Sequence, residues 1–169
     1  MTHVIEPSSG DAPAGMTAAL AALEALGRNL AFSRVTPQHR RDLATHGRKR
    51  LFTAGTPLMK QGDQSTAAYL LVKGRVKVER RESEAENALA LAELGPGELV
   101  GEMGVLSHAP RSATVTAMED LETLELTADA LREVFHDDPD VLLAFVKIMH
   151  ERMHDGAGAN GERSRGHPR

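Results

Sequence analysis

The chain contains no cysteine among its 169 residues, which excludes disulfides, thiolate chemistry and cysteine-held iron–sulfur clusters. It has no run of eighteen apolar residues, so no membrane-spanning helix is expected. Basic residues are not in excess either. The 20 Lys and Arg against 24 Asp and Glu give a formal charge of −4, a balance that disfavours a polyanionic partner. Residues 1–15 lack the basic start and apolar core of a secretory signal, and no internal repeat is present. The expectation is a cytoplasmic protein of one domain, long enough to bury a real core.

Residues 1–15 are polar and rich in Pro, Ser and Gly, and are expected to be disordered. From Thr17, the leucines at 20, 23, 26 and 30 recur at helical spacing among alanines, predicting a helix that ends near Gly27 to Asn29. Thr36 as N-cap, Pro37 in the first turn and Gly47 beyond the end mark a second, short helix. The apolar period then shortens. Segments 50–53, 57–60, 68–72, 75–80, 88–94, 113–118 and 122–126 read as strands between turn signals such as Gly62-Asp63 and Gly95-Pro96-Gly97. Residues 81–87 read as a charged, mobile hairpin loop. Short strands at regular spacing imply an antiparallel sandwich or jelly roll. Thr127 then caps a helix over 128–136. Asp138-Pro139 opens another, carrying Val141, Leu142, Phe145, Ile148, Met149 and Met153, with Gly156, Gly158 and Gly161 to end it. The expected organisation is a domain over 16–154 and a disordered Gly-rich tail over 155–169.

The chemistry concentrates at residues 100–115. Gly101 allows close backbone approach, and Glu102 opens a short apolar turn through Met103, Gly104, Val105 and Leu106. The free N–H groups of such a turn converge as those of phosphate-holding helix N-termini do. Pro110 closes the loop. Arg111 supplies a planar donor fork suited to a phosphate diester. Ser112-Ala113-Thr114-Val115 reads as the start of a strand, which would place the arginine on a rigid element.

This ordered run, G-E-apolar-G-apolar-L-x-x-x-P-R-S-A-T-V, closely resembles the phosphate-binding cassette of cyclic-nucleotide-binding domains of the catabolite activator and kinase regulatory-subunit type. The resemblance runs from about Leu30 to Met153. It implies a mainly β fold, an antiparallel β-roll with N- and C-terminal helices. It also implies roles. Glu102 would accept a hydrogen bond from the ribose 2′-hydroxyl, and Arg111 would pair with an exocyclic phosphate oxygen. The N–H groups of Gly104 and Val105, or near neighbours, would hold the cyclic phosphate. Ser112 would donate to phosphate or base, or be an ordinary strand residue as Thr114 is. Val78, Leu91 and Val100 would line the base, though each also fits a plain core position. The ligand-binding set is thus Gly101, Glu102, Met103, Gly104, Val105, Arg111, Ser112, Ala113, Val78, Leu91 and Val100. The plain alternative for Glu102 and Arg111 is an exposed structural salt bridge on a loop.

Two departures from the family pattern bear on output. About fifteen residues follow the last helix, too few for a DNA-reading module, and the long dimerising helix of the transcription factors is missing. The lid over the base would come from Met153, His154, Arg163 or a partner. A rival signal is His150-Glu151-Arg152-Met153-His154, an H-E-x-x-H match that could hold zinc in a hydrolase. Its third ligand would have to be Asp155, Glu162 or His167, and Ala157 and Asn160 replace the glycine and histidine of the extended motif. A helix end bearing solvated histidines suits the dipole instead. Haem, the family's other effector, would leave the Glu102 and Arg111 pair without purpose. The expectation is a non-enzymatic regulatory module for cyclic AMP, with cyclic GMP the alternative. It has no metal, no DNA partner and no membrane span, and it signals to an unidentified protein effector. The rival is an interaction module whose ligand is lost or changed, for example to a cyclic dinucleotide.

Overall fold

Alanines and leucines at helical spacing form α1 (Met16–Arg28), which buries Ala22 and Ala25. The computed structural model describes residues 16–28 and 36–158, and the side chains at 16–19, 26, 39, 145, 148, 149 and 152–158 lie outside that description. The expectations for 1–15, for Leu30 and for the tail beyond 158, Arg163 included, fall outside the described residues, as do the side chains of Met153 and His154. α2 (Pro37–His46) starts at the expected Thr36-Pro37 signal, with Arg40 N donating to Thr36 O at 3.1 Å, and buries Leu43 and Ala44. Gly47 follows because the space a Cβ would need is filled by Leu124.

Eight strands follow among the described residues: β1 (Arg48–Phe52), β2 (Pro57–Met59), β3 (Ala67–Lys73), β4 (Val76–Arg80), β5 (Leu89–Leu94), β6 (Leu99–Val100), β7 (Thr114–Ala117) and β8 (Leu121–Thr127). All their pairings are antiparallel. They build two four-stranded sheets, in the orders β1-β8-β3-β6 and β2-β7-β4-β5. This is the expected β-roll, with one strand more than predicted. Two residues, both buried, carry no period, so β6 was invisible to the pattern.

Alternation along the strands divides the core into two layers. On β3, Ala68 and Leu70 face the helices, and on β8 so do Leu124 and Leu126. They pack with Ala22, Leu43, Leu131, Val134 and Val141. Leu71 and Leu121 face the other way, into the space between the sheets, with Leu58, Met59, Val76, Val100 and Val115.

α3 (Glu102–Ser107) interrupts the strands; α4 (Ala128–Asp137) and α5 (Pro139–Gly158) complete the chain. Thr127 caps α4 as predicted, its hydroxyl accepting from Ala130 N at 3.2 Å. Asp138 opens α5 through Oδ1, which accepts from Asp140 N at 3.1 Å. α5 runs past the expected domain limit at 154 and ends at Gly158. A single glycine costs a helix about 1 kcal/mol, which does not stop it. No helix among the described residues is long and apolar enough to cross a membrane.

Losing the α4 cap should be measurable. Thr127→Ala is expected to cost about 1 kcal/mol, read as a lower urea midpoint, and Thr127→Ser should recover most of it.

Candidate functional site

β6 delivers the chain to Gly101, which adopts φ 82° and ψ 3°, the left-handed region that glycine enters without strain. The same residue is pressed close on its neighbours. A Cβ there would lie 2.5 Å from Arg111 Nη1 and 2.9 Å from Met59 Cε. α3 begins at once with Glu102 and lasts six residues, until His108 turns into the left-handed region at φ 54°. Gly104 is buried where any side chain would collide with Ser65, whose hydroxyl donates to Ala109 O at 2.7 Å.

Arg111 is not on a strand. β7 starts three residues later, at Thr114, which corrects the expectation that strand pairing fixes the arginine. The backbone of Arg111 is fixed by another route. Its N–H donates to Asp63 O at 2.8 Å, and its carbonyl accepts from Gly62 N at 2.8 Å. The guanidinium is then placed by two backbone carbonyls. Nη2 donates to Ala67 O at 2.6 Å and Nη1 to Gly101 O at 3.0 Å. Only 6% of the residue is exposed. Burial lowers the Arg111 pKa, while Tyr69, Asp63 and Glu102 act to raise it. Arginine's very high starting value keeps it charged.

Glu102 is 1% exposed and lies within the field of Arg111. A solvent-exposed loop salt bridge therefore does not describe these two residues. Polar groups at this depth cost free energy unless charge or hydrogen bonds compensate, so their placement is specified by the fold.

The other predicted residues divide. Val105 points into the helix-side core and Val100 into the inter-sheet core. Met103 is half-buried, Ala113 buried and Ser112 exposed. Thr114 Oγ1 accepts from Gln61 N at 3.0 Å, the structural role expected of it. Val78 is half-buried against the inter-sheet core, on the opposite sheet from Val100. Leu91 departs from a plain core position. It lies on edge strand β5, falls in the bulge between the Val78 and Glu79 pairings, and is 46% exposed. Sequence reasoning missed Ala67 and Gly101 as carbonyl acceptors, and Met59, Asp63, Ser65 and Tyr69 as neighbours. A carbonyl carries no residue-type signature, and only the Gly62-Asp63 turn could have pointed there.

On α5, His150 and Glu151 are exposed, with Lys147 Nζ 4.0 Å from Glu151. Among the described residues, no group of three or more His, Cys, Asp or Glu side chains comes together to hold a metal ion.

A small, ordered cassette between two strands, with a buried acid and a buried arginine beside a left-handed glycine, defines a binding domain. The chain belongs to the cyclic nucleotide-binding domain family, whose model matches residues 49–138. It is 45% identical over 87 residues to the cyclic AMP receptor protein of Thermus thermophilus, covering 50% of this chain and 39% of that one. The crystal structure of the Thermus thermophilus catabolite activator protein superposes with a TM-score of 0.71 at 31% identity, over 75% of this chain and 59% of that one. A cyclic nucleotide-binding domain from Methylobacillus flagellatus shares the fold over 94% of this chain and 89% of its own, with a TM-score of 0.77 at 21% identity. The chain spans less than half the length of the curated relatives it matches.

Proposed function

We propose that this domain binds a 3′,5′-cyclic nucleotide, cyclic AMP first and cyclic GMP as the alternative, and passes the binding event to a separate protein. The observation that carries this reading is the joint burial of Glu102 and Arg111 beside Gly101. The two carbonyls occupy two of the five N–H donors of Arg111, which leaves the rest of the fork for an exocyclic phosphate oxygen. Glu102 accepts the ribose 2′-hydroxyl, a group that a 3′,5′-cyclic diester leaves free. The N–H groups of Gly104 and Val105 add donors to the phosphate, and Ser112 stands exposed at the rim. Val78, Val100 and the exposed Leu91 offer apolar surface to the base.

The same geometry supports a switch. Val105 of α3 shares a packed cluster with Val141 and Ala144 of α5. A ligand that draws residues 101–106 toward Arg111 therefore loads α5, because packed interiors shift between discrete arrangements. Leu142, Leu143 and Val146 are exposed on α5 and give the effector an apolar surface there.

Calorimetry against cyclic AMP, cyclic GMP, cyclic di-GMP and 2′-deoxy cyclic AMP tests the reading. Cyclic AMP should bind, and the deoxy analogue should bind about ten- to a hundredfold more weakly, the effect of one charge-assisted bond. Glu102→Gln should narrow that ratio. Equal affinity for the ribo and deoxy ligands would remove Glu102 from its role. Binding of the dinucleotide alone would favour the rival reading of a changed ligand.

A further inference from the structure

The two halves of the proposed ligand surface lie on different segments. Val78 and Leu91 belong to the β4–β5 hairpin, whereas Glu102 and Arg111 fall between β6 and β7. β4 and β7 pair as far as Glu79 opposite Thr114. Continued by two residues, that register would set Ser112 opposite Arg81 and draw the stretch beside Arg111 onto the sheet. The pairing stops short instead, and a side chain takes the next rung.

Gln61, between β2 and β3, lays its carboxamide along the backbone of Arg81, the first residue beyond β4. Nε2 donates to Arg81 O at 2.8 Å, and Oε1 accepts from Arg81 N at 2.9 Å. This is the exchange of two bonds that a strand residue makes with the residue opposite it. An amide side chain, unlike a carboxylate or an amine, carries both a donor and an acceptor, as a peptide group does. The main chain of residues 61–63 holds the other segment. Gln61 N donates to Thr114 Oγ1 at 3.0 Å, Gly62 N donates to Arg111 O at 2.8 Å, and Asp63 O accepts from Arg111 N at 2.8 Å. One short turn thus grips the hairpin with a side chain and the arginine with its backbone.

We propose that Gln61 is a positioning residue for the cassette: its carboxamide stands in for the next rung of β7 on Arg81, which keeps Ser112 off the sheet and Arg111 turned toward Ala67 and Gly101. The hairpin and the cassette are thereby held at one spacing. Apolar surface for the base and donors for the phosphate are then in place together before the ligand arrives, and a site arranged in advance loses less freedom on binding. The contribution to affinity rests on the reading of Arg111 as the phosphate ligand.

Gln61 and Arg81 are both exposed, so Gln61→Ala should leave the urea midpoint close to that of the parent protein. In that variant cyclic AMP should bind about three- to tenfold more weakly, the effect of losing ordinary hydrogen bonds that prepare the site. In the ligand-free variant β7 should lengthen toward Ser112. NMR should show new backbone contacts between Arg81 and Ser112, and the Ser112 N–H should exchange more slowly with water. Gln61→Glu keeps the side-chain length but sets a carboxylate oxygen against Arg81 O. It should give the same contacts, and it serves as well if Gln61→Ala does not fold. A glutamine that merely staples a loop would alter exchange at Arg81 and leave Ser112 as it was. That outcome overturns the proposal, as does parental affinity in Gln61→Ala. A parent protein that binds no cyclic mononucleotide sinks the ligand reading alone, because the Arg81 and Ser112 contacts still decide whether Gln61 holds the cassette off the sheet.

Discussion

Arg111→Ala is expected to weaken cyclic AMP binding about ten- to a hundredfold, the equivalent of roughly 1.5–3 kcal/mol for one charge-assisted contact. The geometry explains why a lysine should not rescue it. The arginine bridges two carbonyls that belong to different segments, at 2.6 and 3.0 Å, and must still present donors elsewhere. A compact ammonium on a flexible stem cannot span both acceptors and hold that orientation. Truncation also leaves the Ala67 and Gly101 carbonyls without this donor, so stability falls as well. Affinity should therefore be measured by calorimetry below the denaturation midpoint found for each variant. Wild-type affinity in a folded Arg111→Ala protein would remove the anchor from the proposed site.

Gly101→Ala should damage the same site by a different route, and its effect divides into two parts. The backbone part is the left-handed φ of 82°, which costs a residue with a Cβ about 1–3 kcal/mol. The steric part is the new methyl, 2.5 Å from Arg111 Nη1, 2.9 Å from Met59 Cε and 3.2 Å from Ala67 O. Gly55 separates the two. It has φ 84° but open space where its Cβ would stand, so Gly55→Ala carries the strain without the collision. Chemical denaturation should show both variants destabilised, Gly101→Ala the more so. Calorimetry should show ligand affinity lost in Gly101→Ala and kept in Gly55→Ala. Indistinguishable behaviour of the two variants in both measurements would mean that the Gly101 contacts are incidental.

Much of this was legible in the sequence, for identifiable reasons. Helix starts were readable because Thr36, Pro37, Thr127 and Asp138 act locally, through their own backbone neighbours. Seven strands were readable because short segments alternate with turn signals such as Gly62-Asp63 and Gly95-Pro96-Gly97. β6 was not, since its assignment rests on pairing with Tyr69 and Leu70 of β3, about thirty residues away. The cassette was legible as residue types in order. What holds the arginine was not: the acceptors at Ala67 and Gly101, and the backbone exchange with Gly62 and Asp63, are main-chain groups brought in by the fold. The expectation that a strand steadies Arg111 was reasonable for a run of Ser, Ala, Thr and Val. It failed because the turn at Gly62-Asp63 already takes up the residue's own N–H and carbonyl.

The arginine's tethers reach residues 62, 63 and 67 as well as 101, all upstream of it and as much as forty-nine positions away. The arginine's pose comes into being when those remote stretches close around the same guanidinium. A cyclic nucleotide held by Arg111 as proposed would fasten the seam of the roll, so occupancy would be tied to the integrity of the whole barrel and resistance to unfolding should rise with concentration of the guest.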